Sequence, residues 1–179
     1  EWLSSWGATV GGTNSLNAGA VALRCYAIAK LNAVSGSSTY DICATTACQV
    51  YNPAKINPTY TDPAVYFTDN WVVLSSAGAV PSTEYSAENN SIACTVPADC
   101  TCGDSWTQPN GGCIFDPICT GEDRYGHGRG MCQWGTARWA TGRKMAGRSS
   151  ADGTPNGYPL RDWKWIVQHY YPNYTLVKG

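Results

Sequence analysis

The sequence predicts a single α+β domain of mixed helices and short strands, carrying a disulfide-stapled insertion at about residues 90–122. Apolar residues recur at helical spacing in several separate segments. A β-rich run, Trp71–Ser75, stands between two of them. Five cysteines crowd into 90–122 among Gly, Pro, Asp and Thr, a stretch that cannot assemble much core by itself. No internal repeat or linker divides the 179 residues, so the chain, 1–179, reads as one domain large enough to bury a core.

Taken in order, Glu1-Trp2-Leu3-Ser4-Ser5-Trp6 opens the chain as an aromatic, partly extended or looped segment, and Gly11-Gly12 marks a turn. Asn14 and Ser15 are candidate N-caps. Leu16, Ala20, Leu23, Ala27 and Leu31 then predict a helix over Leu16–Asn32 buried along that face. Tyr40–Cys43 reads as extended. Thr61-Asp62-Pro63 reads as a helix start with Pro63 at the first helical position, the helix ending near Asn70. After Trp71–Ser75, a turn at Ala77-Gly78 predicts a partner strand over Val80–Tyr85. Met131–Thr141 and Leu160–Tyr170 are further helices, the latter stopped by Pro172.

Composition narrows the partners. Twelve basic and 13 acidic residues give a net charge of -1, without the basic excess that phosphate-binding proteins carry, so nucleic acid is not an expected partner. Few charges and many hydroxyls and amides suit a neutral polymer such as a glycan. Nine cysteines point to a secreted or cell-surface protein, and the odd number leaves at least one thiol free, intermolecular or otherwise engaged. No apolar run is long enough to span a membrane. The absence of a signal peptide reads as a mature form or a fragment.

The most distinctive motif is Gly126-His127-Gly128-Arg129-Gly130-Met131-Cys132-Gln133-Trp134-Gly135. Alternating glycines let the backbone bend around His127 and approach a ligand closely, and a helix starting near Met131 leaves backbone donors nearby. Other segments accompany it: Leu23-Arg24-Cys25-Tyr26-Ala27 at the end of an Ala-rich helix, Cys43 through Cys48-Gln49-Val50-Tyr51, and His169-Tyr170-Tyr171-Pro172. In identity, order and approximate spacing these resemble the stage II sporulation protein D (SpoIID)/LytB family. The resemblance covers almost the whole chain, least well in the cysteine-rich insertion.

Characterised members of that family are lytic transglycosylases acting on peptidoglycan glycan strands stripped of peptide stems, or enhancers of cell-wall amidases. The resemblance implies Glu1 as the single acid/base, since it matches the glutamate preceding the Ala-rich helix. One carboxyl suffices: it protonates the glycosidic oxygen and then activates the sugar's own hydroxymethyl oxygen. Such an acid needs an apolar site that raises its pKa. Trp2 and Trp6 are expected to supply the walls and, with Trp134 and Trp106, to stack on sugars. Arg24, Tyr26, Gln49, Tyr51, His127 and Gln133 are the expected substrate-binding groups, converging in an open groove long enough for several sugars. Trp139, Trp163 and Trp165 are expected in the core.

Several alternatives stay open in the sequence. Glu1 reads either as the acid or as a solvated terminal carboxylate, and His169 either as a core residue or as part of the site. Some family members hold zinc near Cys43–Cys48 with cysteine and histidine. Ala47 here replaces the histidine, which favours a Cys43–Cys48 disulfide and no metal. Cys94, Cys100, Cys102, Cys113 and Cys119 are the other disulfide candidates. Cys25 and Cys132, where the family has Ser or Thr, are either bridged or two unrelated buried thiols. No cofactor is implied. The expected partner is the glycan strand, with an amidase or self-association as further possibilities. The alternative to cleavage is a non-catalytic glycan-binding, amidase-enhancing or assembled surface component.

Overall fold

Helix α1, Thr13–Ala33, is the centre of the domain, packed against helices α2 (Pro58–Phe67), α3 (Gln133–Thr141) and α4 (Trp163–Tyr170). Its first half is small: Ala18, Gly19, Ala20, Val21 and Ala22 are all buried, so neighbouring elements can approach from several sides. That is why the helix lacks a single apolar stripe. The expected face holds at Leu16 and Ala20, but Leu23 and Ala27 are only half-buried and Leu31 is exposed. Ala18, Val21, Ala22 and Cys25 carry the core instead. The computed structural model describes residues 2–33, 42–45, 58–89, 116–123, 125–126, 128–145 and 154–179.

Asn14 and Ser15 lie inside α1 rather than capping it, and their side chains fasten it to other helices. Asn14 Oδ1 accepts from the backbone N–H of Trp163 at 3.2 Å, and Ser15 Oγ meets Thr136 Oγ1 at 2.6 Å. Helix α2 starts earlier than expected, at Pro58, whose fixed φ suits a first helical position. Pro63 therefore falls within the helix.

Strand β1, Trp71–Leu74, pairs antiparallel with β4, Thr175–Lys178, in the register Trp71↔Lys178 to Leu74↔Thr175. The turn at Ala77-Gly78 forms, with Ser75 and Ala79 bonded across it, but it does not lead into a hairpin. Residues after it continue along α1, where Thr83 Oγ1 donates to Ala22 O at 2.7 Å. The short strand β2, Tyr85–Ser86, pairs in parallel with β3, Met131–Cys132. α3 follows β3 directly and ends at Gly142 in the left-handed region. α4 is capped by Asp162, whose Oδ1 accepts from Trp165 N at 2.8 Å, and it ends at Tyr171 before Pro172.

Trp6 packs edge-on against Trp134, and Trp71 against Trp163. Trp139 and Trp163 are buried as expected, while Trp165 is half-buried. Most of the 90–122 insertion and part of the Tyr40–Cys43 segment lie outside the described residues. The insertion's last residues are far from peripheral: Asp116 and the 3-10 turn Pro117–Cys119 reach the core, where Ile118 and Cys119 are buried.

Candidate functional site

Two junctions surround the glycine-rich loop. At the first, Trp2 lies across α1. Its indole sits over Gly19, where a Cβ would come within 2.6 Å of the ring. It packs at 5.2 Å against Tyr85 and donates from Nε1 to Thr136 Oγ1 at 3.1 Å. Thr136 belongs to the first turn of α3, and Tyr85 pairs with Met131. The start of the chain is thus pinned where the loop turns into α3.

The segment Glu84–Asn89 acts as a splint along the loop. Glu84 O accepts from Met131 N at 3.0 Å and from Tyr171 Oη at 2.8 Å. Ala87 O accepts from Trp134 N, Glu88 and Tyr125 exchange backbone bonds, and Asn89 Nδ2 donates to Gly130 O. The Glu84 carboxylate holds the Arg129 guanidinium through two bonds of 2.8 and 3.0 Å. Gly130 has φ +68, and a Cβ there would meet Glu84 O at 1.9 Å. Only glycine allows that approach.

Behind the loop is a buried polar cluster. Arg138 donates to both oxygens of Glu88, at 3.0 and 2.7 Å, and to Met145 O at 2.9 Å. Burial works against the guanidinium's charge, but the Glu88 hydrogen bond and the surrounding acidic groups outweigh it and push its pKa up. Asp116, 1 % exposed, accepts from Trp139 Nε1 at 3.0 Å, from Cys119 Sγ at 3.2 Å and from the Tyr170 hydroxyl. His169 Nε2 lies 3.4 Å from its Oδ1, an ion-pair separation without hydrogen-bond alignment. Burial pushes the Asp116 carboxyl up, yet the neighbouring His169, Tyr170 and Cys119 hold it below the usual value. Gly135 makes room for this cluster, since a Cβ there would meet Tyr170 Oη at 2.2 Å and Cys119 Sγ at 2.8 Å.

The thiols of Cys119 and Cys132 face each other at 3.3 Å. Cys132 also caps α3, accepting from Gly135 N at 3.1 Å, and reaches Glu88 Oε1 at 3.2 Å. Burial raises both thiol pKa values, Cys119 furthest, so neither is a ready nucleophile. Glu88, Cys119 and Cys132 offer ligand atoms within 4.8 Å of one another. A metal fits them poorly. Zinc favours four ligands and needs thiolates, whereas Arg138 already supplies positive charge here, with Nη1 at 3.6 Å from Cys119 Sγ. An open cleft of about 350 Å³ adjoins Arg138, bordered by Pro117, Glu122, Lys144 and Tyr158.

The expected site residues divide sharply. Glu1, Gln49, Tyr51, His127 and Trp106 lie outside the described residues, as do Cys48, Cys94, Cys100, Cys102 and Cys113. Trp2, Trp6 and Trp134, expected on the walls of an open groove, are core residues at 7 %, 2 % and 8 % exposure, because their large apolar rings fill the space around small-residue α1. Arg24 donates to Thr68 O, Trp71 O and Val65 O at 2.8, 3.0 and 3.2 Å, satisfying carbonyls in the last turn of α2 and just beyond it. Tyr26 is buried beside Tyr85 under Lys30. Gln133, half-buried, opens α3 and accepts from Thr136 Oγ1 through its carbonyl.

Cys119, a disulfide candidate, is a free buried thiol, and so are Cys25 and Cys132. Cys25 does not bridge to Cys132: its sulfur accepts from Val73 N at 3.3 Å instead. Cys43 is disulfide-bonded, its partner lying outside the described residues.

Residues 6–75 match the model of the SpoIID family, described as stage II sporulation protein. This stretch is similar to SpoIID. It spans α1, α2 and β1, less than half of the chain, and stops before the glycine-rich loop. The SpoIID family is associated with sporulation and with the cell wall. No curated protein and no solved structure matches the chain. Within the SpoIID stretch, the Arg24-Cys25-Tyr26 motif joins α1 to α2 and β1. The closing His169-Tyr170-Tyr171-Pro172, beyond it, ties α4 to Asp116 and Glu84.

The sequence reading missed Glu88, Asp116 and Arg138. A signal existed for the splint: Glu84-Tyr85-Ser86-Ala87-Glu88 alternates polar and apolar residues past the expected strand end. Nothing local marked Asp116, whose partners come from α3, α4 and its own turn.

Proposed function

We propose that this chain cleaves peptidoglycan glycan strands as a lytic transglycosylase, with Glu1 as its single acid/base. The observation that carries the reading is the seating of Trp2, one peptide bond from Glu1. It is held between α1 and the first turn of α3, beside the strand that continues the glycine-rich loop. This seating sets the start of the chain against the helix that follows the glycine-rich loop, which supports reading the two as parts of one site. The SpoIID match and that family's link to the cell wall support the same substrate class. Among the described residues no helix is long and apolar enough to cross a membrane.

In the proposed reaction the protonated Glu1 carboxyl gives its proton to the glycosidic oxygen as the bond from that oxygen to the anomeric carbon breaks. The carboxylate then takes the proton of the same sugar's hydroxymethyl oxygen, which closes on the anomeric carbon. The product is an anhydro sugar end, lighter by one water than a hydrolysis product.

A second reading, glycan binding or amidase enhancement without cleavage, draws on the structural employment of Arg24, Trp2, Trp6 and Trp134. Digestion of denuded glycan strands by the full-length protein and its Glu1→Gln variant, with mass spectrometry of the products, separates the two. Anhydro ends from the wild type and at least a ~100-fold loss in the variant are expected for an essential acid. Strands bound but uncut by the wild type would establish the second reading.

A further inference from the structure

We propose that Cys119 and Cys132 are two halves of a disulfide that locks the base of the glycine-rich loop. The assignment goes beyond the glycan reading and does not depend on it. The sulfurs stand 3.3 Å apart, and a bond near 2.05 Å requires them to close by only about 1.3 Å. Both belong to tightly held elements: Cys119 ends the turn Pro117–Cys119, and Cys132 caps α3. Between them runs the glycine-rich loop, with Gly121, Gly126, Gly128 and Gly130 at positive φ. Each glycine has more conformational freedom to lose than any other residue, so tying the ends of such a loop restrains it strongly.

The surroundings tolerate the change. Oxidation removes one S–H donor from Asp116 and one from Glu88. Asp116 retains Trp139 and Tyr170, and Glu88 retains both bonds from Arg138. No charge is created or lost, whereas a cation would have to enter beside the buried guanidinium. The sulfur of Cys132 keeps its lone pairs for Gly135 N.

Both thiols are fully buried, so the bond forms as the chain folds, by exchange with a disulfide donor. One cysteine thiolate attacks the donor disulfide and expels a donor thiolate. The second cysteine thiolate then attacks the first cysteine's sulfur and expels the other. The donor is reduced to two thiols, which take up the two cysteine protons.

The test is to unfold and reduce the chain, refold it with oxidised and reduced glutathione, and block remaining thiols. Digestion without reduction at Asp, Lys and Arg then separates peptide 116–122, with Cys119 alone, from peptide 130–138, with Cys132 alone. The expected result is these two peptides joined. Tryptic cutting of the folded wild type at Arg129 is expected to be at least about tenfold slower than in Cys132→Ser, whose hydroxyl preserves the helix cap. Recovery of both peptides with blocked thiols overturns the proposal, as does Cys132 joined to another cysteine. Stoichiometric zinc that shields both thiols from oxidation, or equal cutting of wild type and variant, also overturns it. No activity is read, so failure here leaves the glycan reading untouched.

Discussion

Asp116 concentrates the domain's electrostatics at the scale of one residue. A carboxylate buried among three hydrogen-bond donors and an imidazole is stable only while those partners remain in place. Its pKa lies below the ordinary 3.8, so folding favours the ionised form. The stabilisation is present above the unfolded value and is lost as pH falls through the lower folded value. Melting temperature should therefore drop steeply below about pH 4. In Asp116→Asn the drop should be shallower, with a loss of roughly 1–3 kcal/mol at neutral pH from mismatched donors. Parallel acid profiles in the two proteins would show that another carboxylate governs the transition.

The element that matters most is α1, and Gly19 shows why its small residues are needed. Glycine inside a helix costs about 1 kcal/mol relative to alanine. A Cβ at Gly19 would stand 2.6 Å from the Trp2 ring, and overpacking of that kind costs about 1–3 kcal/mol. The clash should win, so Gly19→Ala is expected to lower the melting temperature. In a Trp2→Ala background the ring is absent, and the same substitution should raise stability by up to ~1 kcal/mol. Thermal unfolding of the four proteins of this cycle would decide it. A destabilising Gly19→Ala in both backgrounds would place the steric conflict elsewhere.

Across the whole molecule, the Glu88–Arg138 pair joins the splint to α3, while Arg138 also fixes Met145. Both side chains are nearly inaccessible, at 7 % and 3 %; removing Arg138 leaves the Glu88 carboxylate without its cation, and removing Glu88 leaves Arg138 only the half-exposed Glu122, at 3.4 Å. Glu88→Gln or Arg138→Met should each cost about 3–5 kcal/mol. The double variant should cost clearly less than the sum. Denaturant unfolding measures all three, and additive losses would show that the pair does not act as a unit. Because the splint carries the glycine-rich loop, the single variants should also speed proteolysis within it.

Periodicity and Pro172 act over a few neighbouring residues and made α1, α3, α4 and β1 legible in the sequence, whereas the cap at Asp162 starts α4 three residues after the expected Leu160. The sequence also carried the resemblance: the Arg24-Cys25-Tyr26 motif falls inside the stretch that matches the SpoIID model. What it could not contain was which strand takes the edge of β1. Residues 80–85 and 175–178 are both short segments, and the choice depends on where α4 delivers the chain. Tertiary structure alone also decided what the polar residues do. Arg24 had the chemistry to bind a sugar, but the carbonyls after α2 lie within its reach. Cys119 looked like one more cysteine of a loop, but Asp116 and its partners draw that loop's end into the core. A side chain's type records what it can bond, and only the fold brings it the atoms to bond with.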